Sequence, residues 1–125
     1  NTQNIHVLQG DIFSDFNTVN ALKPDLIVSN PPYIESDTIP FLQKEVLEEP
    51  RMALDGGKDG LDFYRAISEH WIPLLNINGA VIVECGENQG ERICGIFKQS
   101  NRIKSASYKL DYNGNERMVS AQADS

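Results

Sequence analysis

At 125 residues the chain is one domain at most, and long enough to bury a core. A hydrophobic content of 40% and a charged content of 23% describe an ordinary globular composition, while the net charge of −7 argues against a broad nucleic-acid-binding face. No apolar run approaches membrane-spanning length, no leader is expected at the start, and Cys85 and Cys94 lack a metal-type Cys/His spacing and fit a reducing compartment, the cytoplasm.

In chain order, residues 5–9 read as a strand and Gly10-Asp11-Ile12-Phe13 as the turn leaving it. Asp at such a turn suits the capping of the segment that follows. Residues 13–23 are poorly periodic and end at Pro24. Then comes Asp25-Leu26-Ile27-Val28-Ser29, a short unbroken apolar run that predicts a strand covered on both faces. It delivers Asn30-Pro31-Pro32-Tyr33. Two prolines fix φ twice and remove two donors, so pairing stops there, and Pro31 holds Asn30 extended. A polar side chain, bare carbonyls and an aromatic ring are thus presented at the carboxyl end of a strand, where open α/β sheets bind their ligands.

That set suits a planar NH2 group, whose delocalised lone pair makes it a poor nucleophile. Acceptors on the Asn30 side chain and the Pro31 carbonyl would orient its two hydrogens and favour the pyramidal, nucleophilic geometry. Tyr33 would hold the flat group by its ring face. An electrophilic methyl group placed in line would complete a transfer that depends mainly on positioning. The bland alternative is a proline-terminated strand with a turn Asn and a packing Tyr.

Further on, Glu35 to Pro40 is a polar loop, and Pro40 can open a short helix carrying Phe41, Leu42, Val46 and Leu47. This insert follows the reactive turn and is expected to wall the substrate side, with Glu49 and Arg51 near the pocket; a solvated turn around Pro50 is the competing reading. Asp55-Gly56-Gly57-Lys58-Asp59-Gly60 reads as a flexible bend without phosphate-loop spacing. Phe63, Ile67, Trp71 and Leu74 then mark the apolar stripe of a helix, with Tyr64 and Ala66 flanking it. Residues 76–79 end that helix, residues 80–85 form the next buried strand, and 86–90 read as a polar turn opening a helix over 91–100. Residues 103–110 and 116–121 alternate like two strands joined at Asn113-Gly114, a strong hairpin signal.

The run 25–34, with Glu49-Pro50-Arg51-Met52-Ala53-Leu54-Asp55-Gly56-Gly57 and Asp59-Gly60-Leu61-Asp62-Phe63-Tyr64-Arg65, resembles the HemK/PrmC family of release-factor glutamine methyltransferases, from Val7 to Val119. The tetrapeptide alone leaves open protein glutamine, adenine in DNA and guanine in RNA. The resemblance implies an α/β fold, the C-terminal part of a Rossmann-like class I methyltransferase sheet, mostly parallel with a terminal antiparallel hairpin. It implies S-adenosylmethionine as cofactor and a peptide-chain release factor as partner, with no metal and no membrane. Asn30 and Pro31 would be catalytic; Asn30, Pro31, Pro32 and Tyr33 would bind substrate. Asp11 would meet the adenine amine, Ile12 would pack near the ring, and Asn30 would also touch the cofactor. Asp111, Gly114 and Arg117 stand where the family's closing hairpin carries similar residues.

Neither the family's Gly-rich cofactor loop nor its N-terminal helical domain is found in these residues. The expectation is therefore an incomplete catalytic domain over 1–125, which by itself binds cofactor weakly or not at all. The strand at 26–29 would then have an unpaired apolar edge, open to self-association. A non-catalytic module of the same fold, or an amino-methyltransferase acting on a nucleic-acid base, are the alternative readings.

Overall fold

The computed structural model describes residues 4–19 and 22–124. Its sheet has four strands, β1 (Leu26–Ser29), β2 (Ala80–Glu84), β3 (Ile103–Leu110) and β4 (Glu116–Ala123), in the order β1-β2-β4-β3. β1 and β2 are parallel, with Leu26 opposite Ala80, whereas β4 runs antiparallel to both β2 and β3. The result is a mixed α/β sheet closed by an antiparallel hairpin, as the sequence predicts, with its parallel part confined to β1 and β2 among the described residues. β1 lies at one edge, and Leu26 and Val28 are 53% and 68% exposed. The expectation of cover on both faces therefore fails here, and the open apolar edge is present.

Alternation puts Val81 and Val83 of β2 and Val119 and Ala121 of β4 on one face. They form one core with Tyr64, Ile67, Ile72, Leu75, Ile93 and Phe97 from the helices. The helix α3 (Gly90–Lys98) sends Ile93, Cys94 and Phe97 inward at helical spacing. Burial raises the thiol of Cys85 to about 11 and that of Cys94 as well, so both free cysteines are inert packing groups.

The other long helical stretch changes pitch twice. It begins as α2 (Asp62–Ala66), widens to a π turn over Ile67–Trp71 and tightens to a 3-10 turn over Ile72–Leu74. Pro73 lacks a donor and breaks the regular ladder. The inward face is consequently Tyr64, Ile67, Ile72 and Leu75, while Phe63, Trp71 and Leu74 of the expected stripe are half-buried. Phe63 and Trp71 face the 12–16 segment: Phe63 packs on Phe13 with ring centroids 4.8 Å apart, and Trp71 Nε1 donates to the Ile12 carbonyl at 2.7 Å. Arg102 donates to the carbonyls of Pro73 and Leu75 and so caps the end of the stretch.

Two further expectations are corrected. Residues 5–9 form no strand, since no partner ladder reaches them among the described residues. Pro40 lies inside a 3-10 turn, Ser36–Phe41, rather than opening a helix, and only the single turn α1 (Lys44–Leu47) follows.

Asp59 joins the start of α2 to α3. It accepts the Leu61 N–H at 3.0 Å and pairs with Arg65 and, at 3.5 Å, with Arg92. Hydrogen bonding to Arg65 is the main reason its carboxyl sits at about 2 rather than the usual 3.8. A carboxyl depressed in the folded state stabilises above its unfolded value and loses that contribution as pH falls toward the folded one. Thermal unfolding followed from pH 5 down to pH 2, within about the ordinary carboxyl range, should show a smaller drop in midpoint for Asp59→Asn than for the wild type.

Candidate functional site

β1 ends at Ser29, and Asn30-Pro31-Pro32-Tyr33 leaves the sheet at its carboxyl end, as the two prolines require. The bend is held from one side by the 54–57 segment. Ile34 donates to the Leu54 carbonyl at 3.1 Å, Gly56 donates to the Ile34 carbonyl at 2.8 Å, and Ser36 donates to the Gly57 carbonyl at 2.9 Å. Ile34 and Asp55 form an isolated parallel bridge. The glycine-rich bend is thus a pinned strap, not a flexible one. A Cβ on Gly56 would lie 2.7 Å from the Tyr33 Cα, and Gly57 and Gly60 take φ of +96° and +79° that side chains rarely adopt. Ser36 Oγ donates to Asp55 at 2.5 Å; with the Gly57 N–H and Arg51, that bond holds the Asp55 carboxyl below its usual range.

Asn30 is exposed, Pro31 is buried, and Pro32 and Tyr33 are half-buried. All four, with Ile34, line one cleft of about 430 Å³, whose other wall is Val46, Glu49, Ala53 and Leu54. Glu49 therefore lies where the substrate-wall reading puts it. Arg51 turns away to pair with Asp55 at 3.2 Å. Among the described residues neither the Asn30 side chain nor the Pro31 carbonyl has a hydrogen-bond partner within the protein. The Tyr33 carbonyl, in contrast, already accepts from Gln89 Nε2 at 2.9 Å. The Asn30 side chain and the Pro31 carbonyl are thus available as acceptors, the kind of pair a planar amine needs.

Asp11 and Ile12 line a second cleft of about 330 Å³, with Ile27, Val28 and Ser29 of β1 and with Trp71. The two clefts adjoin along the chain at Ser29 and Asn30, but Asn30 does not line the second one. One Asp11 oxygen accepts the Phe13 N–H at 2.8 Å, so the capping role is present. The Trp71 bond to Ile12 fixes this turn beside β1. A largely apolar slot lined also by Asp11 and Asp15 could take the flat, amine-bearing adenine end of a nucleoside. No group of His, Cys, Asp and Glu suited to a metal occurs among the described residues, and no helix is long and apolar enough to cross a membrane.

Three residues of the site escape a reading for catalytic motifs. Gly86 packs against the Tyr33 ring, Gln89 holds the Tyr33 carbonyl, and Glu116 accepts the N–H groups of Asn88 and Gly90 at 2.6 and 3.0 Å. The signal available was Gly-x-x-Gln at a helix entry, where a Gln three residues on reaches back to a backbone donor.

No protein-family model matches the chain. It is similar to the release factor glutamine methyltransferases of Moorella thermoacetica (36% identity over 113 residues, 90% of this chain), Geobacter sulfurreducens (48% over 96, 76%) and Bacillus anthracis (40% over 116, 92%). It covers 39%, 34% and 41% of these proteins, so the chain spans about two-fifths of the length of the curated relatives it matches. Its fold is similar to that of a release factor-specific protein-(glutamine-N5) methyltransferase from Alicyclobacillus acidocaldarius (TM-score 0.56, 20% identity, 91% of this chain and 56% of that one). The M1.HpyAVI–SAM complex is a second structural neighbour (TM-score 0.55, 16% identity, 95% of this chain and 53% of that one). With its Asn30–Tyr33 bend at the end of β1, the chain is similar along most of its own length to release factor glutamine methyltransferases.

Proposed function

We propose that this chain is the catalytic part of an S-adenosylmethionine-dependent methyltransferase. Its substrate is the side-chain amide nitrogen of the glutamine in the Gly-Gly-Gln motif of peptide-chain release factors. The observation that carries the reading is the pair of open acceptors, Asn30 and Pro31, beside a Tyr33 ring in a solvent-accessible cleft. When bound, S-adenosylmethionine supplies an electrophilic methyl group. The Asn30 oxygen and the Pro31 carbonyl take the two amide hydrogens and turn the nitrogen lone pair toward the open end of β1. Tyr33 and Pro32 exclude water from the flat face of the amide. The methylated nitrogen is acidic enough to pass its proton to water, so no side chain is assigned as a base.

Asp11 and Ile12 fit the adenine end of the cofactor. The open edge of β1 is where further strands of a complete sheet would pair; in the isolated stretch it would favour self-association. The buried free thiols suit the cytoplasm.

Incubation of the full-length protein with labelled S-adenosylmethionine and either a release factor or a DNA oligonucleotide tests the substrate. Label is expected in the release factor, and it should be lost when the motif glutamine is replaced. Label in the DNA alone would overturn the reading.

A further inference from the structure

One side chain holds the reactive bend beside the glycine strap. Gln89 stands between β2 and α3. Its Oε1 accepts the Gly86 N–H at 2.8 Å and its Nε2 donates to the Tyr33 carbonyl at 2.9 Å. A side-chain amide has one accepting and one donating end, so a backbone N–H on one side and a carbonyl on the other allow a single orientation. The backbone N–H of Gln89 returns a bond to the Gly86 carbonyl at 3.3 Å and closes the turn.

The space around this amide is equally determined. A Cβ on Gly60 would lie 2.5 Å from the Tyr33 carbonyl oxygen and 3.0 Å from Gln89 Nε2. A Cβ on Gly86 would lie 2.8 Å from Tyr33 Cδ1 and 3.1 Å from Gln89 Oε1. Two glycines thus leave the room that the Gln89 amide and the Tyr33 ring occupy.

We propose that Gln89 is a positioning residue for amide methylation, an inference that rests on the function proposed above. By occupying the Tyr33 carbonyl it removes that oxygen from competition with the Asn30 and Pro31 acceptors. By tying Tyr33 to the end of β2 it sets the height of the ring over the amide. Gln89 touches no substrate itself.

The test compares Gln89→Leu and Gln89→Glu in the full-length protein. Leucine removes both bonds, and a misplaced acceptor pair should lower kcat/KM by about 10²-fold while cofactor affinity stays unchanged. Glutamate keeps the acceptor for Gly86, but its ionised second oxygen faces the Tyr33 carbonyl, and only the protonated acid can donate. The activity of Gln89→Glu relative to wild type should therefore rise as pH falls from about 8 to about 5, toward the ordinary glutamate range, whereas that of Gln89→Leu should not. In cofactor-free protein, hydrogen exchange at the Gly86 amide should be faster in Gln89→Leu and close to wild type in Gln89→Glu. If Gln89→Leu does not fold, the pH profile of Gln89→Glu carries the test. Wild-type kcat/KM in Gln89→Leu, or a flat relative profile in Gln89→Glu, overturns the inference. Loss of turnover in Asn30→Ala alongside an indifferent Gln89 would sink this inference alone, while an unaffected Asn30→Ala would sink the reading beneath it.

Discussion

Replacing Asn30 by alanine in the full-length protein should lower turnover by about 10²–10³-fold, the usual cost of deleting one preorganised electrostatic partner of a reacting group. Asn30 is exposed and its side chain has no hydrogen-bond partner among the described residues, so its removal should cost the fold little. Unfolding midpoint and cofactor affinity should accordingly stay near wild type. Aspartate at the same position is the sharper comparison. It keeps an acceptor but adds a charge, and it should restore part of the turnover if accepting a hydrogen bond is the whole role of Asn30. Single-turnover kinetics with a release factor would read both variants. Undiminished turnover in Asn30→Ala would remove the residue from the chemistry.

The second large effect is expected at Gly86, which touches no substrate. A methyl group there would meet the Tyr33 ring at 2.8 and 2.9 Å, closer than van der Waals contact allows. The ring is the body that yields, because the backbone of Gly86 is fixed by the Gln89 side chain and by the end of β2. Gly86→Ala should cost about 1–3 kcal/mol of stability, as overpacking does elsewhere. It should also raise KM for the protein substrate, since the ring that holds the amide has moved. A paired Gly86→Ala, Tyr33→Ala protein tests the cause. Removing the ring should return most of the lost stability while leaving the enzyme inactive; stability still low in the pair would place the clash elsewhere.

How far these features were legible in the amino-acid sequence depended on whether their causes are local. Leu26-Ile27-Val28 followed by two prolines dictates a strand and its stop without help from distant residues, and the bend stands where that reading puts it. The same holds for β2, for α3 and for the hairpin at Asn113-Gly114, where Gly114 takes φ of +82°. Residues 5–9 have strand composition, but a strand exists only against a partner, and composition carries no information about one. The 62–74 stretch shows the spacing of a regular helix, yet a π turn and then a 3-10 turn rotate its face, so Ile72 rather than Trp71 enters the core. In the site, Asn30 to Tyr33 were readable because one tetrapeptide holds them. Gln89 and Gly86 were not, because their meaning lies in contacts with Tyr33, which for Gln89 is 56 residues away along the chain.

β4 lies between β2 and β3, although it is the latest element in the sequence, and its Glu116 carboxylate secures the turn that carries Gln89. A nascent polypeptide that has already emerged through Tyr33 consequently still lacks a working centre. On the function proposed above, competence must await insertion of β4 between β2 and β3, so a product ending before Glu116 would be inert rather than half-active.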